Sequence, residues 1–129
     1  MSVSLLIITH DQIGSAMVDT AVHMLGVSPM TINVIAVRRE HNPDEIVSQA
    51  EDLIAKSEAT LVLTDMYGST PSNIACRLRT NHNVRVVGGI NLPMLVRVLN
   101  YPRLSLDELA DKAVSGGRDG VLTCKTEQD

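Results

Sequence analysis

A chain of 129 residues, 44% of them hydrophobic, is long enough for one domain with a substantial core and needs no metal or disulfide to hold it together. Phe and Trp are absent, so the core is aliphatic and offers no stacking surface for bases, and a net charge of -4 gives no electrostatic grip on a phosphate backbone. Nucleic acid is thereby excluded as a partner, and Cys76 and Cys124, far apart and outside any CxxC pattern, read as free thiols of a reducing compartment.

The chain opens on an apolar run, Val3 to Ile8, that reads as a strand. No basic segment or small-residue cleavage site precedes it, and no apolar run approaches the ~20 residues of a membrane span, so a cytoplasmic protein without membrane insertion is expected. Thr9, His10 and Asp11 follow the strand. Ile13, Ala16, Met17, Thr20, Ala21, Met24 and Leu25 then recur at helical spacing. Ile32 to Val37 is a second strand; Arg38 and Arg39 after it face either a partner or plain solvent. Asn42-Pro43-Asp44-Glu45 supplies a cap, a first-turn proline and acidic residues for a helix whose apolar side is Ile46, Val47, Ala50, Leu53 and Ile54.

Thr60 to Thr64 reads as the third strand. It runs into Asp65-Met66-Tyr67-Gly68-Ser69-Thr70-Pro71-Ser72-Asn73, where Thr70-Pro71 signals a cap and the start of a helix. Val84 to Val87 is the fourth strand, followed by the Gly88-Gly89 turn. Ser105-Leu106-Asp107-Glu108 is a capping box for a helix expected to end near Gly116-Gly117. Gly120 to Cys124 reads as a fifth, edge strand. Residues 1–125 form the domain and 126–129 a flexible tail. Alternation of near-continuous apolar strands with helices predicts an α/β fold, a single-domain, doubly wound and mostly parallel open sheet with helices on both faces.

In such sheets the functional site lies beyond the carboxyl ends of the strands. His10 ends the first strand and Asp65 the third, so neighbouring strands would bring them to one crevice. A carboxylate accepting the Nδ1 proton leaves Nε2 with a free lone pair for attack on phosphorus and balances the positive ring that results. The Gly68-Ser69-Thr70 turn adds amides at a helix start and a hydroxyl, suited to phosphate oxygens. Thr70 can equally cap its own helix, a lone strand-end histidine is also a common satisfied polar residue, and an Asp there is often only a turn former. No GxxxxGK[ST] pattern is present, so a nucleotide-binding P-loop is excluded. His23, His41 and His82 read as surface or packing residues, Arg77 and Arg79 have no clear role, and no histidine has a metal-ligand spacing.

Taken together, the segments resemble the mannose-family enzyme IIA domains of the bacterial sugar phosphotransferase system. The matching pieces stand in the family's order: a strand ending in Thr9-His10; Asp65 to Asn73 for D-x-x-G-G-[ST]-P-x-N; Gly89-Ile90-Asn91-Leu92-Pro93-Met94-Leu95 for G-[VI]-N-[LI]-P-M-L; and Gly117-Arg118-Asp119-Gly120-Val121 for G-[KR]-[ED]-G-[VI]. The resemblance implies that His10 is phosphorylated on Nε2, that Asp65 orients it, and that Gly68, Ser69, Thr70 and Ser72 bind the phosphoryl group, with no cofactor or metal. It implies a phosphotransferase that accepts from the phosphocarrier protein HPr and donates to an enzyme IIB. A homodimer exchanging a final antiparallel strand is implied as well.

Two positions depart from the pattern. Asp11 stands where the family has Gly, and Ser69 replaces the second Gly of the turn. Asp11 is expected to cap the helix beginning near Gln12, and its charge to repel a phosphoryl group on His10. The alternative is that it points outward and spends its charge on the helix terminus. Two other functions share the pattern: a regulatory module whose partner changes with His10 phosphorylation, and a phosphocarrier domain serving dihydroxyacetone kinase.

Overall fold

The computed structural model describes residues 2–125, so the expected tail at 126–129 lies outside the described residues. Its strands are β1 (Val3–His10), β2 (Ile32–Val37), β3 (Ala59–Thr64) and β4 (Val84–Val87), in the order β2-β1-β3-β4 and all parallel. The helices are α1 (Ile13–Leu25), α2 (Pro43–Ala55), α3 (Thr70–Arg77), α4 (Leu92–Leu99) and α5 (Leu106–Asp119), with a 3₁₀ turn at Leu78–Thr80.

The pleat explains why the strands read as unbroken apolar runs. Val3, Leu5 and Ile7 point into a core shared with α1, α4 and α5, whereas Leu6 and Ile8 point into a second core under α2 and α3. With apolar layers on both sides, β1 carries only apolar residues from Leu5 to Ile8, and polar ones return at Thr9 and His10.

The winding positions the site. From β1 the chain crosses by α1 to β2 on one side, then by α2 to β3 on the other side of β1. The segments leaving β1 and β3 therefore diverge between those two strands. A crevice opens there at the carboxyl edge, at the switch point of the sheet.

Several local expectations need correction. α5 does not stop near Gly116-Gly117 but runs to Asp119. Those glycines are sites of close approach: a Cβ at Gly116 would lie 2.9 Å from Arg97 Cβ, and one at Gly117 2.8 Å from Met94 Cε. Small residues let α5 press against α4, and Arg97 spans the contact with a 2.8 Å ion pair to Asp119. The fifth strand at Gly120–Cys124 is not present among the described residues. A strand needs a ladder partner, and this segment leaves α5 exposed, with Val121 N–H bonded back to Arg118 O at 3.2 Å. Finally, α4 was not anticipated, although Asn91 caps it by accepting from Met94 N–H at 2.9 Å and Pro93 sits in its first turn.

Candidate active site

β1 ends at His10, in register with Val37 of β2, and β3 ends one residue before Asp65. One carboxylate oxygen holds the histidine twice. Asp65 Oδ2 accepts the His10 backbone N–H at 2.9 Å and lies 2.8 Å from ring Nδ1. The other oxygen, Oδ1, accepts the Met66 N–H at 2.9 Å. Burial pushes the Asp65 carboxyl up, but the His10 backbone and ring donors, the Met66 amide and the electrostatic attraction of the His10 ring outweigh it and leave it below its ordinary value of 3.8. The group facing Nδ1 is thus a carboxylate, which can only accept. The neutral ring must carry its proton on Nδ1, and Nε2 then keeps its lone pair.

The imidazole is 44% exposed and the Asp65 side chain 12%, so the nucleophile is open and its partner is shielded. The ring lines a groove of about 610 Å³ with Asp11, Arg38, Arg39, His41 and Thr70. Among the described residues, His10 Nε2 makes no hydrogen bond, and neither do the Thr70 N–H and hydroxyl. The arrangement therefore presents a nucleophilic nitrogen beside unspent donors.

The turn after β3 divides its tasks. Ser69, not Thr70, takes the N-cap position of α3; Thr70 is the first helical residue and is exposed. Gly68 adopts a φ of +90°, its N–H bonds Ser72 Oγ at 3.3 Å, and Ser69 N–H bonds Met66 O at 3.1 Å. Ser72, 1% exposed, braces the turn from inside. Of the four turn residues expected to hold phosphate, Thr70 is the one that lines the groove.

The start of α1 corrects the reading of Asp11. Gln12 is the N-cap without a side-chain cap bond, and Asp11 adopts a left-handed φ of +41° that turns its exposed carboxylate toward Arg38, 3.7 Å away. The capping oxygen is Thr9 Oγ1, fully buried, which accepts Gly14 N–H at 2.8 Å. Gly14 has to be small there, because a Cβ would sit 2.9 Å from Ile7 and 3.0 Å from Thr9 Oγ1. Sequence reasoning missed Thr9 because its bond reaches five positions along the chain, beyond the usual capping distance. Thr9→Val keeps the shape, orphans the Gly14 amide and should cost about 1 kcal/mol, or about 4 °C in Tm by thermal unfolding; an unchanged Tm would show that the amide is satisfied otherwise.

His23, His41 and His82 are exposed, and His41 accepts the Arg38 N–H on Nδ1 at 3.0 Å. Arg77 bridges α3 to α2 through Asp44 at 2.9 Å. No helix among the described residues is long and apolar enough to cross a membrane.

Residues 4–114 match the family model described as the fructose IIA component of the phosphotransferase system. Among solved structures, the chain is similar to a mannose/sorbose-specific IIA subunit from Enterococcus faecalis, with a TM-score of 0.87, 24% identity, and 98% of this chain and 97% of that one covered. It is also similar to an EIIA component from Streptococcus agalactiae (TM-score 0.83, 20% identity, 94% and 96% covered). A third similar structure is a IIA protein associated with the fucose utilization operon of Streptococcus pneumoniae (0.77, 22%, 95% and 93%). No curated protein matches the sequence.

Proposed function

Because the chain belongs to the mannose/fructose enzyme IIA family of the sugar phosphotransferase system, we propose that His10 is its phosphoryl-carrying residue, charged by phospho-HPr and discharged to an enzyme IIB in the cytoplasm. The observation that carries this reading is the 2.8 Å contact between His10 Nδ1 and Asp65 Oδ2, with Nε2 left open in the groove. The Nε2 lone pair attacks phosphorus, a new P–N bond forms, and the donor's P–N bond breaks, returning the electron pair to the donor histidine. The ring of His10 becomes cationic in the transfer, and Asp65 is placed to balance that charge. Discharge runs the same steps in reverse onto the acceptor.

Thr70 and its amide are proposed to hold the phosphoryl oxygens directly. Gly68, Ser69 and Ser72 act by fixing the turn that presents them. Exposed Met66 and Tyr67 beside Asp65 give a protein partner an apolar rim to cover, which excludes water during transfer. The test is phosphoenolpyruvate with enzyme I and HPr. An acid-labile phosphate must reach this chain and then pass to a IIB acceptor; label that never leaves HPr would reject the carrier role.

A homodimer is proposed on the same footing. Among the described residues no strand pairs with the outer edge of β4, and beside it Val86, Val87, Val114 and Val121 line a groove of about 770 Å³. The Gly120–Cys124 segment, with Val121 and Leu122 three-quarters exposed, is suited to pair with that edge on a second copy and so protect both. Light scattering at micromolar concentration should give twice the chain mass, and a monomer mass would reject the exchange.

A further inference from the structure

Arg38 is the one groove residue tied to the chain's departure at Asp11, and it has no task in the account above. Its Nε lies 3.7 Å from Asp11 Oδ1, with both side chains well exposed, at 47% and 74%. One long contact between exposed groups is weak and easily given up. The pair also sits at the right place. Val37 is in register with His10 and its carbonyl accepts the Asp11 N–H at 3.1 Å, so Arg38 emerges beside the nucleophile and lines the same groove. Arg38 is held there by its backbone N–H on His41 Nδ1.

We propose that Arg38 leaves Asp11 for the phosphoryl group once His10 carries it, so that Asp11, acting through Arg38, sets the stability of the phosphorylated state by competing for this guanidinium. The inference rests on His10 being the phosphoryl carrier. A guanidinium fork matches two phosphate oxygens and binds them more strongly than one exposed carboxylate oxygen. With Gly at position 11 the arginine would have no rival. Asp11 therefore acts largely through Arg38 and not through direct repulsion alone, and it makes the phosphoryl group easier to pass on.

The experiment is a double-mutant cycle on the full chain, with Arg38→Gln, Asp11→Asn and the pair together. Each protein is equilibrated with phosphoenolpyruvate and pyruvate through enzyme I and HPr. The phosphorylated fraction is read by mass spectrometry and the phosphoryl titration by ³¹P NMR. Arg38→Gln should lower the equilibrium constant about five- to tenfold, and Asp11→Asn should raise it about threefold. The Asp11→Asn gain should largely vanish in the Arg38→Gln background.

A guanidinium on the phosphoryl group favours its dianion. Arg38→Gln should thus shift the phosphoryl titration, near pH 6 for a phosphate ester, upward by about half a unit, in a groove also facing Asp11, Arg39, His41 and Asp65. Arg38→Lys should recover part of both effects. An Arg38→Gln protein that equilibrates and titrates like the parent overturns the proposal, as does an Asp11→Asn gain of equal size in both backgrounds. A parent chain that takes no phosphate on His10 overturns the carrier reading instead, and this inference with it.

Discussion

His10→Ala will fold like the parent and carry no phosphoryl group. The fold survives because the imidazole is nearly half exposed and its loss opens no cavity in either core. The bond from the residue-10 amide to Asp65 uses backbone and is retained. Function is lost completely because nothing replaces the nucleophile. His23, His41 and His82 are exposed and, among the described residues, have no carboxylate on the ring, and in His41 the Nδ1 that would carry the proton accepts a hydrogen bond from the Arg38 N–H. Phosphorylation by enzyme I and HPr, followed by gel mobility and unfolding curves, checks both halves. Label that persists at the parent level would remove His10 from its role.

Asp65→Asn will leave the fold standing and slow transfer on the order of 10²-fold or more, judged against the larger loss when the orienting aspartate of a serine protease becomes asparagine. The amide can turn its NH₂ toward the ring, which stabilises the tautomer with the lone pair on Nδ1 and puts the proton on the attacking nitrogen. It also carries no charge to balance the cationic ring. A second consequence follows from the lowered carboxyl. The stability this group adds is present above the ordinary value of 3.8 and is lost as pH falls through the depressed folded value. The parent should therefore lose stability below about pH 4 in a step that Asp65→Asn lacks. Rapid-quench transfer from phospho-HPr and unfolding at pH 3 to 6 measure the two effects; transfer at the parent rate would reduce Asp65 to a turn residue.

The strands and the placing of His10 beside Asp65 were legible because they rest on the strongest local signals. Runs such as Leu5-Leu6-Ile7-Ile8 and Leu61-Val62-Leu63 are buried on both faces, and the switch-point rule says where their ends converge. Gly116-Gly117 was misread because a helix stop and a tight helix contact have the same sequence signature. Only the approach of Arg97 and Met94 tells them apart. The cap by Thr9 and the turning of Asp11 toward Arg38 depend on a left-handed residue and on the β1–β2 register, neither of which local pattern encodes. The segment at Gly120–Cys124 has strand composition, but pairing is not a local property, and among the described residues it forms no ladder and is not a strand.

The most direct test of the central claim is to ask which nitrogen carries phosphorus. Phosphorylate ¹⁵N-histidine-labelled protein through enzyme I and HPr, and assign the phosphohistidine by its ring nitrogen shifts and phosphorus coupling. With Nδ1 protonated against Asp65, the phosphoryl group is expected on Nε2 of His10. Phosphate on Nδ1, or on any other residue, would contradict the account.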